Sequence, residues 1–124
     1  MRAVIAKIIN GAYVVGTLTP LNRIGSVTES TTTCTSLGIN YLAGDYIKNM
    51  TITANTYNVV KVVFVTNNGT TLSRGIAGTG TTSKTFLFKY EEPLLAFWGF
   101  ENNSVNITAI GAISVDKACV LPEK

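Results

Sequence analysis

Residues 58–75 read NVVKVVFVTNNGTTLSRG, and the fold turns on how they are read. Val, Phe and Thr crowd the first half. β-Branched and aromatic side chains pack well on a pleated surface, so VVKVVFVT is a strand. It is apolar on both faces for part of its length, which marks it as buried. Asn67-Asn68-Gly69 follows, and these residues tolerate the positive φ of a tight hairpin turn. TTLSRG, after the turn, is short and polar. The expectation is a buried strand paired with an edge strand.

The same pattern extends in both directions. Strand candidates fall at 3–9, 12–18, 23–29, 36–42 and 46–53 before the hairpin's 58–66 and 70–75. Others fall at 83–90, 93–100, 106–115 and 117–121 after it. Asn10-Gly11 and Gly78-Thr79-Gly80 supply further turn chemistry. No stretch shows the i, i+3, i+4, i+7 apolar stripe of an amphipathic helix. Proline occurs only at Pro20, Pro93 and Pro122, and no linker is visible, so residues 1–124 read as a single domain. So many short strands in one domain imply an all-β sandwich, barrel or prism.

Composition narrows the partners. Charged residues are 14% and apolar residues 46%, so the polar surface is mostly Thr, Asn, Ser and Gly, suited to a neutral ligand. The net charge is +3, but the ten Lys and Arg are scattered, without the basic patch of a nucleic-acid footprint. No apolar run reaches the length of a membrane-spanning helix. Lys7, Asn10 and Gly11 interrupt the N-terminal apolar stretch before it forms a signal-peptide core. Asn49, Asn68, Asn102 and Asn106 each open an Asn-x-Ser/Thr sequon, which favours a secreted, extracellular setting. Cys34 and Cys119 either close a loop of about 85 residues as a disulfide or stand as two small buried thiols. The sequence leaves that choice open.

Catalysis has little to work with. There is no histidine, the commonest general base and metal ligand. Of the acids, Glu91 and Glu92 are adjacent, but neighbours on a strand point to opposite faces. No nucleophile elbow, phosphate loop or metal-ligand spacing occurs. The chain is expected to be no enzyme and to hold no metal or cofactor.

From Leu37 onward the chain resembles a jacalin-related lectin domain. GINYLAGDYIKNMTI (38–52) is similar to the family segment in which a strand leads to an acidic residue, here Asp45, then Tyr46 and Ile47. VVKVVFVTNNGTTLSRG (59–75) resembles the family's L-x-F-x-T-N-x-G hairpin through Phe64, Thr66, Asn67 and Gly69. PLLAFWGFENNSVNITAIGAISV (93–115) resembles its last hairpin through Phe97, Gly99, Ile107, Ala109, Ile110 and Gly111. The resemblance implies a β-prism of three four-stranded Greek-key sheets. It also implies a non-enzymatic binder of mannose, glucose or galactose that often oligomerises.

In such lectins a final-hairpin Asp anchors the sugar, with loop backbone N–H groups and an N-terminal Gly loop completing the site. Here Thr108 stands at the Asp position and Ser104 at the preceding Gly position, and the loop is longer. The candidate ligand-binding residues are Gly99, Glu101, Asn102, Asn103, Ser104, Asn106 and Thr108, with Asn10 and Gly11 opposite. Glu101 can supply the missing carboxylate and the Asn amides can bond to hydroxyls. Tyr57 can stack on a ring. The expected partner is a glycan or glycoprotein.

Phe86, Phe88, Phe97 and Phe100 read as core. Trp98 alternates with Phe97, so an inward Phe97 puts Trp98 at the surface, where it is expected to join protomers of a homo-oligomer. The competing functional reading is an adhesion or assembly module that keeps the prism and has lost the sugar.

Overall fold

The structure is a computed structural model. It describes residues 4–5, 8–9, 12–13, 19–20, 37–102 and 106–120. Among them the chain is all-β. Four two-residue strands, β1 (Val4–Ile5), β2 (Ile8–Ile9), β3 (Ala12–Tyr13) and β4 (Thr19–Pro20), come first. Six longer ones follow: β5 (Ile47–Ala54), β6 (Val59–Thr66), β7 (Thr71–Gly75), β8 (Thr82–Leu87), β9 (Leu94–Asn102) and β10 (Asn106–Ser114).

The central sheet has the order β7-β6-β5-β8, antiparallel throughout. Three hairpin-connected strands are joined by a fourth that returns beside the first, which is a Greek key. The stretch 58–75 behaves as its sequence indicates: β6 is an inner strand and β7 a mostly exposed edge. Gly75 closes β7 at φ +89, and Ile76 N–H then donates to Val60 C=O at 3.2 Å.

Side-chain amides organise the turn. Asn67 Oδ1 accepts from Tyr46 N–H at 3.0 Å, and Asn67 Nδ2 donates to Gly44 C=O at 3.1 Å. The NNG turn is thereby tied to the segment entering β5. At the other end of β5–β6, Asn55 Oδ1 accepts from the N–H groups of Tyr57 and Asn58, both at 2.8 Å.

The core lies on one face of this sheet. Met50, fully buried, sits with Ile52, Phe64 and Phe88. Leu72 and Phe86 flank it from neighbouring strands, and Leu94, Phe97, Ile110 and Ala112 pack on it from the β9–β10 hairpin. The rings of Phe64 and Phe97 lie 5.7 Å apart, stitching hairpin to sheet. On the opposite face Thr51 and Thr85 hydroxyls meet at 2.8 Å, and Thr53 and Ser83 at 2.7 Å, a cross-strand hydroxyl ladder.

Three sequence expectations need correction. The candidate strand at 36–42 is not one: among its described residues, Leu37–Asn40 carry no strand and a 3-10 turn occupies Tyr41–Ala43. Asn40 caps that turn, its side chain accepting from Ala43 N–H at 3.3 Å, and Gly44 ends it in the left-handed region. The candidate strand at 117–121 begins instead as a short helix, α1 (Lys117–Val120), because Asp116 Oδ1 accepts from Ala118 N–H at 2.8 Å. Phe100 is not core but 65% exposed, because it shares strand parity with Trp98 and not with Phe97.

One four-stranded Greek-key sheet is present among the described residues, together with the separate pairs β9–β10, β2–β3 and β1–β4. Cys34 lies outside the described residues, as does the side chain of Cys119.

Candidate functional site

The β9–β10 hairpin carries most of the candidate residues. Its ladder runs from Leu94↔Ser114 to Asn102↔Asn106, with Glu101 opposite Ile107. The last pairs therefore bring Glu101, Asn102 and Asn106 to one exposed tip. Asn103 and Ser104, between the paired ends, lie outside the described residues.

Two register shifts shape this hairpin. Ile107 faces Glu101 but Ala109 faces Phe100, so Thr108 is an extra residue in β10. Such a bulge bends and re-aims the strand. The Thr108 hydroxyl donates to Phe100 C=O at 3.2 Å, so the bulge uses it internally. At the hairpin's other end, Ser114 faces Leu94 and Ile113 faces Ala96, which leaves Leu95 as the second extra residue. Gly99 also has a structural part. A β-carbon there would lie 2.3 Å from Ala109 C=O, so glycine permits the close strand approach beside the bulge.

Trp98 stands at the surface, 51% exposed, as the inward Phe97 requires. Its cross-strand partner is Gly111. Sequence reasoning missed Phe100 as a surface aromatic. The available signal was the alternation Ala96-x-Trp98-x-Phe100 set against Ala109-x-Gly111-x-Ile113, which reads as a second apolar face once the register is known.

Other candidates are not brought to this tip by any described contact. Tyr57 is 78% exposed at the end of the β5–β6 hairpin. Asn10 and Gly11 lie outside the described residues, although Ile9 pairs with Ala12 on either side of them, as their hairpin chemistry implies. Of the sequons, Asn49 is half-buried in the inner strand β5, and the Asn68 amide accepts from Thr70 N–H at 3.2 Å within the turn. Asn102 and Asn106 are exposed cross-strand partners.

A separate concave region is lined by Glu91, Glu92, Asp116, Lys117 and Ala118. Lys117 has structural work there: its ammonium lies 4.3 Å from the Tyr90 ring centre, and its N–H donates to Glu91 C=O at 2.7 Å. Among the described residues no group of three His, Cys, Asp or Glu could hold a metal ion. No described helix is long and apolar enough to cross a membrane.

No family model, curated protein or solved structure matches this chain.

Proposed function

We propose that this chain is a carbohydrate-binding module, a jacalin-like β-prism that takes a neutral glycan of mannose, glucose or galactose type at the tip of β9–β10. The observation that carries this reading is the tip itself. Two exposed amides, Asn102 and Asn106, meet across the ladder on one face, and the exposed Glu101 adjoins them from the other face at the strand end. Sugar hydroxyls need such acceptors and donors held at fixed directions on loops and strand ends. The Greek-key order β7-β6-β5-β8 supports the prism, which needs three sheets of that kind.

Glu101 takes the anchoring role, its carboxylate accepting from adjacent hydroxyls. Thr108, at the position where the resembled family carries Asp, is committed to Phe100 C=O and contributes by shaping the bulge. Lectin sites of this sort work near millimolar, about 4 kcal/mol. One charge-assisted hydrogen bond is worth about 1.5–3 kcal/mol, so the carboxylate decides whether binding is measurable. The test is a glycan array read for the parent, Glu101→Gln and Asn106→Ala. A loss of tenfold or more in both variants is expected, and unchanged binding in both refutes the assignment.

The exposed Trp98 favours a second reading, a protein-contact module on the same fold. It predicts a blank array together with self-association or capture of a protein partner.

A further inference from the structure

The outer face of the β9–β10 hairpin is apolar and open to water. The register sets Ala96 opposite Ile113, Trp98 opposite Gly111 and Phe100 opposite Ala109. Phe97, Ile110 and Ala112, of opposite parity, pack on the core, so the six residues share the outward face. Trp98 is 51% exposed, Phe100 65% and Ile113 42%, and none of the six is charged.

The tryptophan is held in a particular way. A β-carbon on Gly111 would fall 2.2 Å from Trp98 Nε1 and Cε2 and 2.6 Å from Cζ2. The Nε1–Cε2–Cζ2 side of the indole therefore lies against the glycine, in space that any β-carbon would take, while half of the residue stays open to water. Phe100 meets it edge-on, at 6.0 Å and 89° between rings. Strand alternation puts Asn102 and its partner Asn106 on this same face, and Glu101 on the other; Asn102 is four residues from Trp98 and thus about 13 Å along the strand.

We propose that this face is an extended subsite, a platform on which the inner rings of a neutral oligosaccharide stack while its terminal sugar is held at the tip. This rests on the tip being the glycan site. Pyranose rings present a C–H face of weakly positive character, which complements the negative face of an indole. The span from Asn102 to Trp98 exceeds one sugar ring, so the preferred ligand has at least two sugars. The uncharged surface gives sulfate or phosphate groups nothing to pair with, so the glycan is neutral.

Area argues against a second copy of the chain as the occupant. Five residues on each of two strands span a footprint of about 160 Å². A standard protein interface needs about 800 Å² from each partner. The face suits a ligand a few rings long.

Trp98 is the only tryptophan in the chain, so its emission reports on the platform directly. The intact protein is titrated with the methyl glycosides of mannose, glucose and galactose, and with mannotriose, maltotriose and galactotriose. One trisaccharide is expected to perturb Trp98 emission and to bind at least tenfold more tightly than its methyl glycoside. By calorimetry, Trp98→Ala is expected to bring the trisaccharide down to the monosaccharide level, leaving methyl glycoside affinity within twofold. Phe100→Ala, at a more exposed position, does the same in part and serves if Trp98→Ala fails to fold. Equal affinities for mono- and trisaccharide, with both variants silent, overturn the platform while leaving the tip site standing. Absence of any sugar binding by the folded protein overturns both. A concentration-dependent blue shift without sugar, with dimers in sedimentation, puts a second copy on this face and overturns the platform.

Discussion

Replacing Gly75 by alanine probes how the Greek-key sheet is closed. Gly75 has φ +89, a backbone region that costs an L-residue about 1–2 kcal/mol. The new β-carbon would also lie 1.9 Å from Val60 C=O and 2.9 Å from Lys61 Cα. Both neighbours are backbone atoms of inner strand β6, so no side-chain rotation relieves the overlap. The end of β7 must move away, giving up the 3.2 Å bond from Ile76 N–H to Val60 C=O. That adds about 0.5–1.5 kcal/mol. The expected loss is about 1.5–3.5 kcal/mol, a large share of the 5–15 kcal/mol typical of a domain. At this size each kcal/mol moves Tm by about 4 °C, so scanning calorimetry should show a fall of about 6–14 °C. Gly78→Ala is the control, since a β-carbon there meets nothing within 4 Å. It should stay within about 0.5 kcal/mol of the parent. If Gly75→Ala melts within 2 °C of the parent, by about the precision of such comparisons, the reasoning about β7 closure fails.

Other perturbations test other parts of the account. Met50→Ala, which empties the one fully buried large side chain among the described residues, should cost about 2–5 kcal/mol in urea unfolding with the slope m unchanged. Asn67→Ala removes the amide joining Gly44 and Tyr46 to the turn and should cost about 1–2 kcal/mol, where Asn67→Asp keeps only the accepting half. Thr108→Val, which loses only the bulge's bond to Phe100 C=O, should lower stability by about 1 kcal/mol or less and leave glycan affinity within twofold. A tenfold loss of affinity in Thr108→Val would return Thr108 to the binding machinery.

What could be read from the sequence was local. The Asn67-Asn68-Gly69 hairpin and the inner and edge character of its strands follow from turn chemistry and apolar content within 18 residues, and the ladder β6–β7 matches them. The pairing of β8 with β5 does not follow, because nothing near Thr82–Leu87 names a partner some thirty residues earlier. Short apolar runs are ambiguous, which is why SLGINYL and KACVL read as strands. The capping residues Asn40 and Asp116 carried the contrary signal. At the tip, Glu101, Asn102 and Asn106 were legible as a polar loop between apolar runs. The Thr108 and Leu95 bulges were not, because a bulge is a property of two strands in register. With them went the outward placement of Phe100 and the fit of Trp98 over Gly111.

The central claim is that a neutral glycan binds at the end of β9–β10. Its most direct test is an amide chemical-shift titration of the labelled protein with the strongest glycan from the array. Under this account the largest shifts fall on Trp98, Glu101, Asn102 and Asn106, with the core strands β5 and β6 unmoved. Shifts centred elsewhere, on Tyr57 or around Glu91 and Asp116, would contradict it, as would a spectrum that no glycan changes.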